Sequence, residues 1–122
     1  KGWRDRRGEA EALIEVTAAS NYGYPAPLKN ARDDSYNEWK YKPVGFVSYG
    51  GIAGGTRSVQ QLKQVVGAQK MFPVVEIVNI PFFTKYIDDL DKFNADETLT
   101  AAAEAMFAEL LKCAEALSPL RK

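Results

Sequence analysis

Short apolar runs alternate along this chain with longer segments of helical periodicity. Three runs predict strands, at residues 12–17, 43–48 and 72–78. The last two are nearly continuous in apolar residues and are bounded by Pro and Gly, which is typical of parallel strands covered on both faces. The pattern therefore predicts an α/β fold built on a small three-stranded parallel sheet.

Segments of helical spacing lie between these runs. Residues 28–39, which follow Pro25-Ala26-Pro27, and residues 58–69 are long enough to form crossover helices. A short helical pattern also precedes the first strand, over residues 4–11. This alternation of strands and helices predicts a parallel sheet with right-handed crossovers.

The final helix has the strongest pattern. Asn94 is the predicted N-cap, with Glu97 completing a capping box, and Ser118-Pro119 ends the helix. Cys113, the only cysteine, adjoins the apolar stripe and is interpreted as a packed thiol. The stripe consists of Ala103, Met106, Phe107, Leu110, Leu111, Ala114 and Leu117.

The amino-acid composition argues against several classes of function. The 122 residues include 16 basic and 16 acidic side chains, so the net charge is zero and nothing favours nucleic acid or an anionic membrane as a partner. The chain has no histidine, so it cannot build a Ser-His-Asp or Cys-His site, and a zinc centre is disfavoured. No apolar stretch has the length of a membrane span, and we expect a cytoplasmic protein.

Two loops carry the candidate chemistry, because ligands of open α/β sheets bind beyond the carboxyl ends of the strands. Residues 18–25 combine an amide with two tyrosines, and residues 49–57 contain four glycines before a helix. Glycines let a backbone approach a flat ring or an anion closely. Each loop also has a purely structural interpretation. The first is then a proline-anchored turn whose tyrosines cover the edge of a core, and the second is a tight glycine turn. The acidic cluster of Asp88, Asp89 and Asp91 is interpreted as a solvated turn.

The two loops together resemble a known family. The residues that carry the resemblance are NYGYPAPLKNA at 21–31 and EW-x2-KPVGFVSYGG-x2-GG-x-R at 38–57. They closely resemble NADPH-dependent FMN reductases, a group that includes quinone, chromate and azo-dye reductases. The resemblance extends over roughly residues 10–117.

The resemblance implies a flavodoxin-like fold in which the two loops flank the isoalloxazine ring of FMN. Hydride would pass from NAD(P)H to the flavin and then to an acceptor. Because the cofactor carries that chemistry, no catalytic side chain and no metal ligand is assigned. The residues implied in cofactor binding are Asn21, Tyr22, Gly23, Tyr24, Ser48, Tyr49, Gly50 and Gly51.

The chain departs from the family in ways that leave two functions open. Residues 1–122 are expected to form a single partial domain, without the N-terminal half that holds the FMN phosphate. The family usually reads Pro-Glu-Tyr-Asn where this chain has Ala18-Ala19-Ser20-Asn21, and Glu15 interrupts the first strand. One hypothesis is a flavin-binding oxidoreductase, or the ring-contacting half or a fragment of one. The alternative is an engineered or truncated non-catalytic scaffold that pairs with itself or with a complementary half-domain.

Overall fold

Three parallel strands form the centre of the protein. The structure is a computed structural model, and it describes residues 10–18, 38–51 and 54–121. The strands are β1 (Leu13–Ala18), β2 (Pro43–Gly50) and β3 (Phe72–Pro81), in the order β1-β2-β3. The predicted three-stranded parallel sheet is therefore confirmed. β1 begins and ends one residue later than predicted, and β2 and β3 run two and three residues further.

Two α-helices accompany the sheet in the described part of the chain. Helix α1 (Thr56–Ala68) connects β2 to β3, and helix α2 (Glu97–Leu117) follows β3. Short 3-10 turns occupy Phe83–Tyr86 and Ser118–Arg121. Within the described part of the chain, no helix is both long and apolar enough to cross a bilayer.

The remaining helical predictions extend beyond the described residues. The predicted helix 4–11 lies there except for its last two positions, which are not helical. The predicted helix 28–39 also lies there except for Glu38 and Trp39, which form a turn. Trp39 is buried in the core beside α1.

The two helices cover opposite faces of the sheet. Phe46 of β2 packs against α1, whereas its neighbour Val47 packs toward α2. β3 alternates in the same way, with Ile77 toward α1 and Val78 toward α2. Successive strand residues point to opposite faces, so β2 contributes to two separate apolar clusters. This burial explains the nearly continuous apolar sequence of the strand.

A glycine in β2 allows α2 to lie close to the sheet. A Cβ on Gly45 would stand 2.7 Å from Sδ of Met106 and 3.1 Å from Cδ1 of Leu110. Both of these side chains are buried. The helix therefore packs against bare backbone at this point.

The predicted start of α2 is wrong by two residues. The N-cap is Asp96, whose carboxylate accepts a hydrogen bond of 2.8 Å from the backbone N–H of Leu99. Asn94 instead donates through Nδ2 to Asp88, at 3.0 Å. Both Asn and Asp are good capping residues, so the choice depended on where the preceding turn ended.

The apolar stripe of α2 is only partly buried. Met106, Leu110 and Ala114 lie in the core, but Phe107 is 49% exposed and Leu111 is 73% exposed. Cys113 of α2 packs against the core between the helix and the sheet, where burial and the nearby Glu109 raise the pKa of its thiol. The thiol is therefore packed, as predicted, and the exposed part of the stripe faces no described element.

Gly45 and Gly67 form a matched pair for testing the approach of α2 to the sheet. We expect Gly45→Ala to lower the free energy of unfolding by about 1–3 kcal/mol, because the added methyl group overpacks the contact with Met106 and Leu110. Gly67 lies on the exposed side of α1 with no described atom within 4 Å of its Cβ position, so Gly67→Ala should raise that free energy by about 0.4–1 kcal/mol. Denaturant unfolding measures both. Equal effects of the two substitutions would contradict the close packing.

Hydrogen bonds to Asp88, in the turn before α2, should make the stability of the fold depend on pH. Its carboxylate accepts hydrogen bonds from Asn94 Nδ2 and from the N–H groups of Lys92 and Leu90, and these bonds, that of Asn94 foremost, lower its pKa. The folded state thus favours the ionised form. The resulting stability is present above the pKa of the unfolded chain and is lost as the pH falls through the folded value.

We expect Asn94→Ala to raise the pKa of Asp88 toward its ordinary value, since it removes the largest of these contributions. Leu90→Ala keeps the backbone donor and should leave the pKa unchanged. An NMR titration of the carboxyl carbon measures both variants. An unaltered pKa in Asn94→Ala would refute the role of this amide.

Candidate functional site

The carboxyl ends of all three strands meet at one edge of the sheet. Ala18, the last residue of β1, pairs with Tyr49, and Gly50, the last residue of β2, pairs with Pro81 at the end of β3. The two loops selected from the sequence therefore follow neighbouring strand ends. This is the edge where open α/β sheets bind their ligands.

The first loop lies outside the described residues. The predicted role of Asn21, Tyr22, Gly23 and Tyr24 therefore stays a prediction. The structure does describe the four candidates of the second loop, Ser48, Tyr49, Gly50 and Gly51.

These four residues occupy different environments. Ser48 is fully buried, and its hydroxyl donates to Oδ1 of Asn79 at 3.4 Å, so it supports the turn from behind. Tyr49 is half-buried on the opposite face, edge-on to Phe83 with ring centroids 5.3 Å apart. Gly50 is half-buried at the end of β2, and Gly51 is exposed.

The glycine turn is held against the end of β3. The carbonyl of Gly51 accepts hydrogen bonds from the N–H of Gly54, at 3.2 Å, and from that of Phe82, at 2.9 Å. Gly54 and Gly55 have left-handed backbones, with φ of 58° and 83°. Left-handed φ values carry little penalty for glycine and a substantial one for most other residues. Glycine at both positions thus permits the left-handed backbone found there.

Asn79 is a site residue that the sequence analysis did not identify. Its side chain lies where a Cβ on Gly54 would stand, and it accepts from Ser48. It is the only amide in the otherwise apolar run at the end of β3. A polar residue near the carboxyl end of a buried strand was the available signal. Asn79 therefore braces the glycine turn through its neighbouring strand.

A second polar contact connects β1 to α1. The hydroxyls of Thr17 and Ser58 lie 3.0 Å apart and are hydrogen-bonded, and both residues are buried. Thr17 stands one residue before the end of β1, and Ser58 is in the first turn of α1. The pair therefore aligns the exit of β1 with the helix that follows the glycine turn.

The start of α1 faces the same edge of the sheet. Its N-cap is Gly55, which has no side chain to cap the helix, and no side-chain cap is found among the described residues. The first backbone N–H groups of a helix have no partner within the helix and carry its positive dipole end. They can therefore donate to an anionic group at this edge. The described residues contain no group of three or more side chains suited to holding a metal ion.

Comparison with solved structures defines the fold class. The chain matches the flavoenzyme NAD(P)H:(acceptor) oxidoreductase FerB of Paracoccus denitrificans with a TM-score of 0.68 and 19% sequence identity. The match covers 95% of this chain and 65% of that one. The sheet and its helices are thus a flavodoxin-like α/β unit.

Comparison with protein families identifies the family. A sequence model of the NADPH-dependent FMN reductases matches residues 1–85. The chain is 38% identical to an NAD(P)H-dependent FMN reductase of Schizosaccharomyces pombe over 107 residues, covering 75% of this chain and 53% of the relative. It is 32% identical to an NADPH:quinone oxidoreductase of Arabidopsis thaliana over 103 residues, covering 81% of this chain and 50% of that relative. The chain belongs to the NADPH-dependent FMN reductase family and spans about half the length of these relatives.

The contact between Asn79 and Gly54 predicts that substitutions at these two positions have coupled effects on the free energy of unfolding. Gly54→Ala should lower the free energy of unfolding by about 1–3 kcal/mol, because alanine is strained at this φ and its methyl group would overlap the Asn79 amide. Gly51→Ala adds a methyl group with no described atom within 4 Å of it, and should change that free energy by less than about 0.5 kcal/mol.

A double-mutant cycle separates the two causes. Gly54→Ala lowers the free energy of unfolding through overlap with Asn79 and through backbone strain. Adding Asn79→Ala should restore the part lost to overlap and leave the part lost to strain. Denaturant unfolding of the four species measures the coupling. Strictly additive effects would show that Asn79 does not brace the turn.

Proposed function

We propose that this chain is the part of an NAD(P)H-dependent FMN or quinone-type oxidoreductase that contacts the flavin ring. The observation that carries the proposal is the glycine turn at the carboxyl edge of the sheet. It is braced from behind by Asn79 and Ser48, and no described atom lies in front of it at Gly51. Family membership supports the same function, which the relatives carry in their names.

The geometry of the turn fits a flat cofactor. No described heavy atom lies within 4 Å of the position that a Cβ of Gly51 would take, so a planar ring can approach the backbone there. Gly54 and Gly55 have no such space, since added Cβ atoms would meet Asn79 and, at 2.8 Å, the carbonyl of Tyr49. Among the residues that the structure describes, none covers the outer side of the turn at Gly51, whereas the inner side is packed.

The residues of the chain have binding roles in this proposal. FMN, when bound, supplies the hydride and electron transfer between NAD(P)H and an acceptor. Gly50 and Gly51 would present backbone to the ring, and Asn21, Tyr22, Gly23 and Tyr24 would approach it from the neighbouring loop. Ser48 and Asn79 would keep the turn in position. The N-terminus of α1 lies at the same edge and can stabilise negative charge there. The proposal includes the cytoplasmic location expected from the sequence.

The first test is direct binding of FMN. We expect the purified chain to quench FMN fluorescence and to melt at a higher temperature when FMN is added, since a ligand at 100 times its Kd stabilises the folded state by about 2.7 kcal/mol. Gly51→Val places a branched side chain in front of the turn. It should raise the Kd for FMN at least about tenfold, which corresponds to about 1.4 kcal/mol. Fluorescence titration measures both proteins.

Gly67→Ala is the matched control, because this glycine lies on the exposed side of α1 away from the turn. It should bind FMN as the unaltered chain does. If a chain that melts cooperatively neither quenches FMN at concentrations up to about 1 mM, where a bound ligand gains about 4 kcal/mol, nor shifts its melting temperature, the proposal is wrong. The non-catalytic scaffold then becomes the better account.

A further inference from the structure

Phe82 is an exposed aromatic residue with a strained backbone, and it lies beside the glycine turn. It directly follows β3 and has a left-handed conformation, with φ of 49°. Its N–H donates to the carbonyl of Gly51 at 2.9 Å, and its own carbonyl accepts from the N–H of Lys85 at 3.1 Å. These two hydrogen bonds hold the backbone of Phe82 against the turn, at the carboxyl edge of the sheet.

The described fold does not require a phenylalanine at this position. A bulky residue with positive φ is unusual and costs free energy, whereas glycine or asparagine adopts the same backbone more readily. The side chain of Phe82 is 52% exposed, so burial offsets only part of that cost. A single exposed apolar side chain is ordinary in proteins, but backbone strain concentrates at functional sites. Strain and exposure together, at a ligand-binding edge, therefore indicate a role for the ring.

Comparable aromatic residues of this chain have partners within the fold. Phe83, the next residue, packs against the core and lies edge-on to Tyr49. Tyr41 is also aromatic with positive φ, and the ammonium group of Lys70 lies 5.8 Å from the centroid of its ring. For Phe82, no ring or cation contact is found among the described residues. The ring of Phe82 therefore has no comparable structural role in the described part of the fold.

We propose that Phe82 forms the wall of the flavin-ring site on the side of β3. This inference rests on the proposed function, in which a flat ring lies against the backbone of Gly51. The first loop would approach that ring from the side of β1, and Phe82 stands on the other side of the turn, hydrogen-bonded to Gly51. An aromatic side chain contacts a flat ring by offset stacking or edge-to-face. The strained backbone places the ring of Phe82 where such a contact is possible.

The first test removes the aromatic ring and keeps the turn. Phe82→Asn introduces a residue that tolerates the left-handed backbone, and it should raise the Kd for FMN at least about fivefold, because an aromatic contact with the flat ring is lost. Phe82→Tyr keeps the ring and should bind FMN within about twofold of the unaltered chain. Tyr41→Asn is the matched control, since it makes the same exchange at a left-handed aromatic residue before β2, at the opposite edge of the sheet. It should leave the Kd unchanged in the same fluorescence titration.

The second test measures proximity to the ring directly. A tryptophan in contact with an excited flavin quenches the flavin emission by electron transfer. Phe82→Trp should therefore lower the fluorescence of bound FMN below that of the unaltered complex, at equal saturation. Val75→Trp adds the same group at a position that is 84% exposed in the first half of β3, away from the carboxyl edge. It should leave the emission of bound FMN unchanged.

Three results would overturn the role of Phe82 while leaving the proposed function intact, provided that the unaltered chain binds FMN. They are equal Kd values for Phe82→Asn and Tyr41→Asn, a loss of affinity that Phe82→Tyr shares, and equal FMN emission in Phe82→Trp and Val75→Trp. The second result would mean that the side chain acts only on the structure of the turn. If the folded, unaltered chain does not bind FMN, the proposed function and this inference both fail.

Discussion

The central strand β2 must be covered on both faces, and most of the structure depends on this constraint. Its alternate side chains enter two separate apolar clusters, one under each helix. Gly45 lets α2 approach on one side, and Phe46 fills the other. With β1 and β3 paired to its two edges, β2 is fixed in position, direction and register. Its exit turn is therefore placed by the best-packed part of the molecule.

That placement explains how the glycine turn after β2 is held at the edge of the sheet. The carbonyl of Gly51 accepts a hydrogen bond from the N–H of Phe82, just after β3, and the side chain of Asn79 in β3 accepts one from Ser48 and lies beside Gly54. The inner side of Gly54 and Gly55 is thus packed, whereas no described atom lies within 4 Å of the Cβ position of Gly51 on the outer side. A rigid scaffold that carries functional loops at one edge is the usual arrangement of α/β proteins.

The sequence predicted the elements whose residues carry a strong local pattern. β2, β3 and α2 were located because buried strands and amphipathic helices leave apolar periodicities that do not depend on distant contacts. Asp96 and Asn94 show the limit of this reasoning, since either can cap a helix and only the hydrogen bonds of Asp88 decide between them. Asn79 was missed for a related reason. Its importance comes from Gly54, 25 residues away in the sequence, and no local pattern records that contact.

The place of β1 in the sheet connects the fold to the proposed function. Flavodoxin-like sheets have the strand order 2-1-3-4-5 and bind their ligand at the switch point between the first and third strands. The order β1-β2-β3 matches the last three of these strands, so β1 takes the place of the third. The candidate flavin site would therefore lie at the carboxyl end of β1, beside the glycine turn that follows β2. A ligand bound there would contact the ends of two neighbouring strands, so its binding would depend on the packing that fixes β2 between β1 and β3.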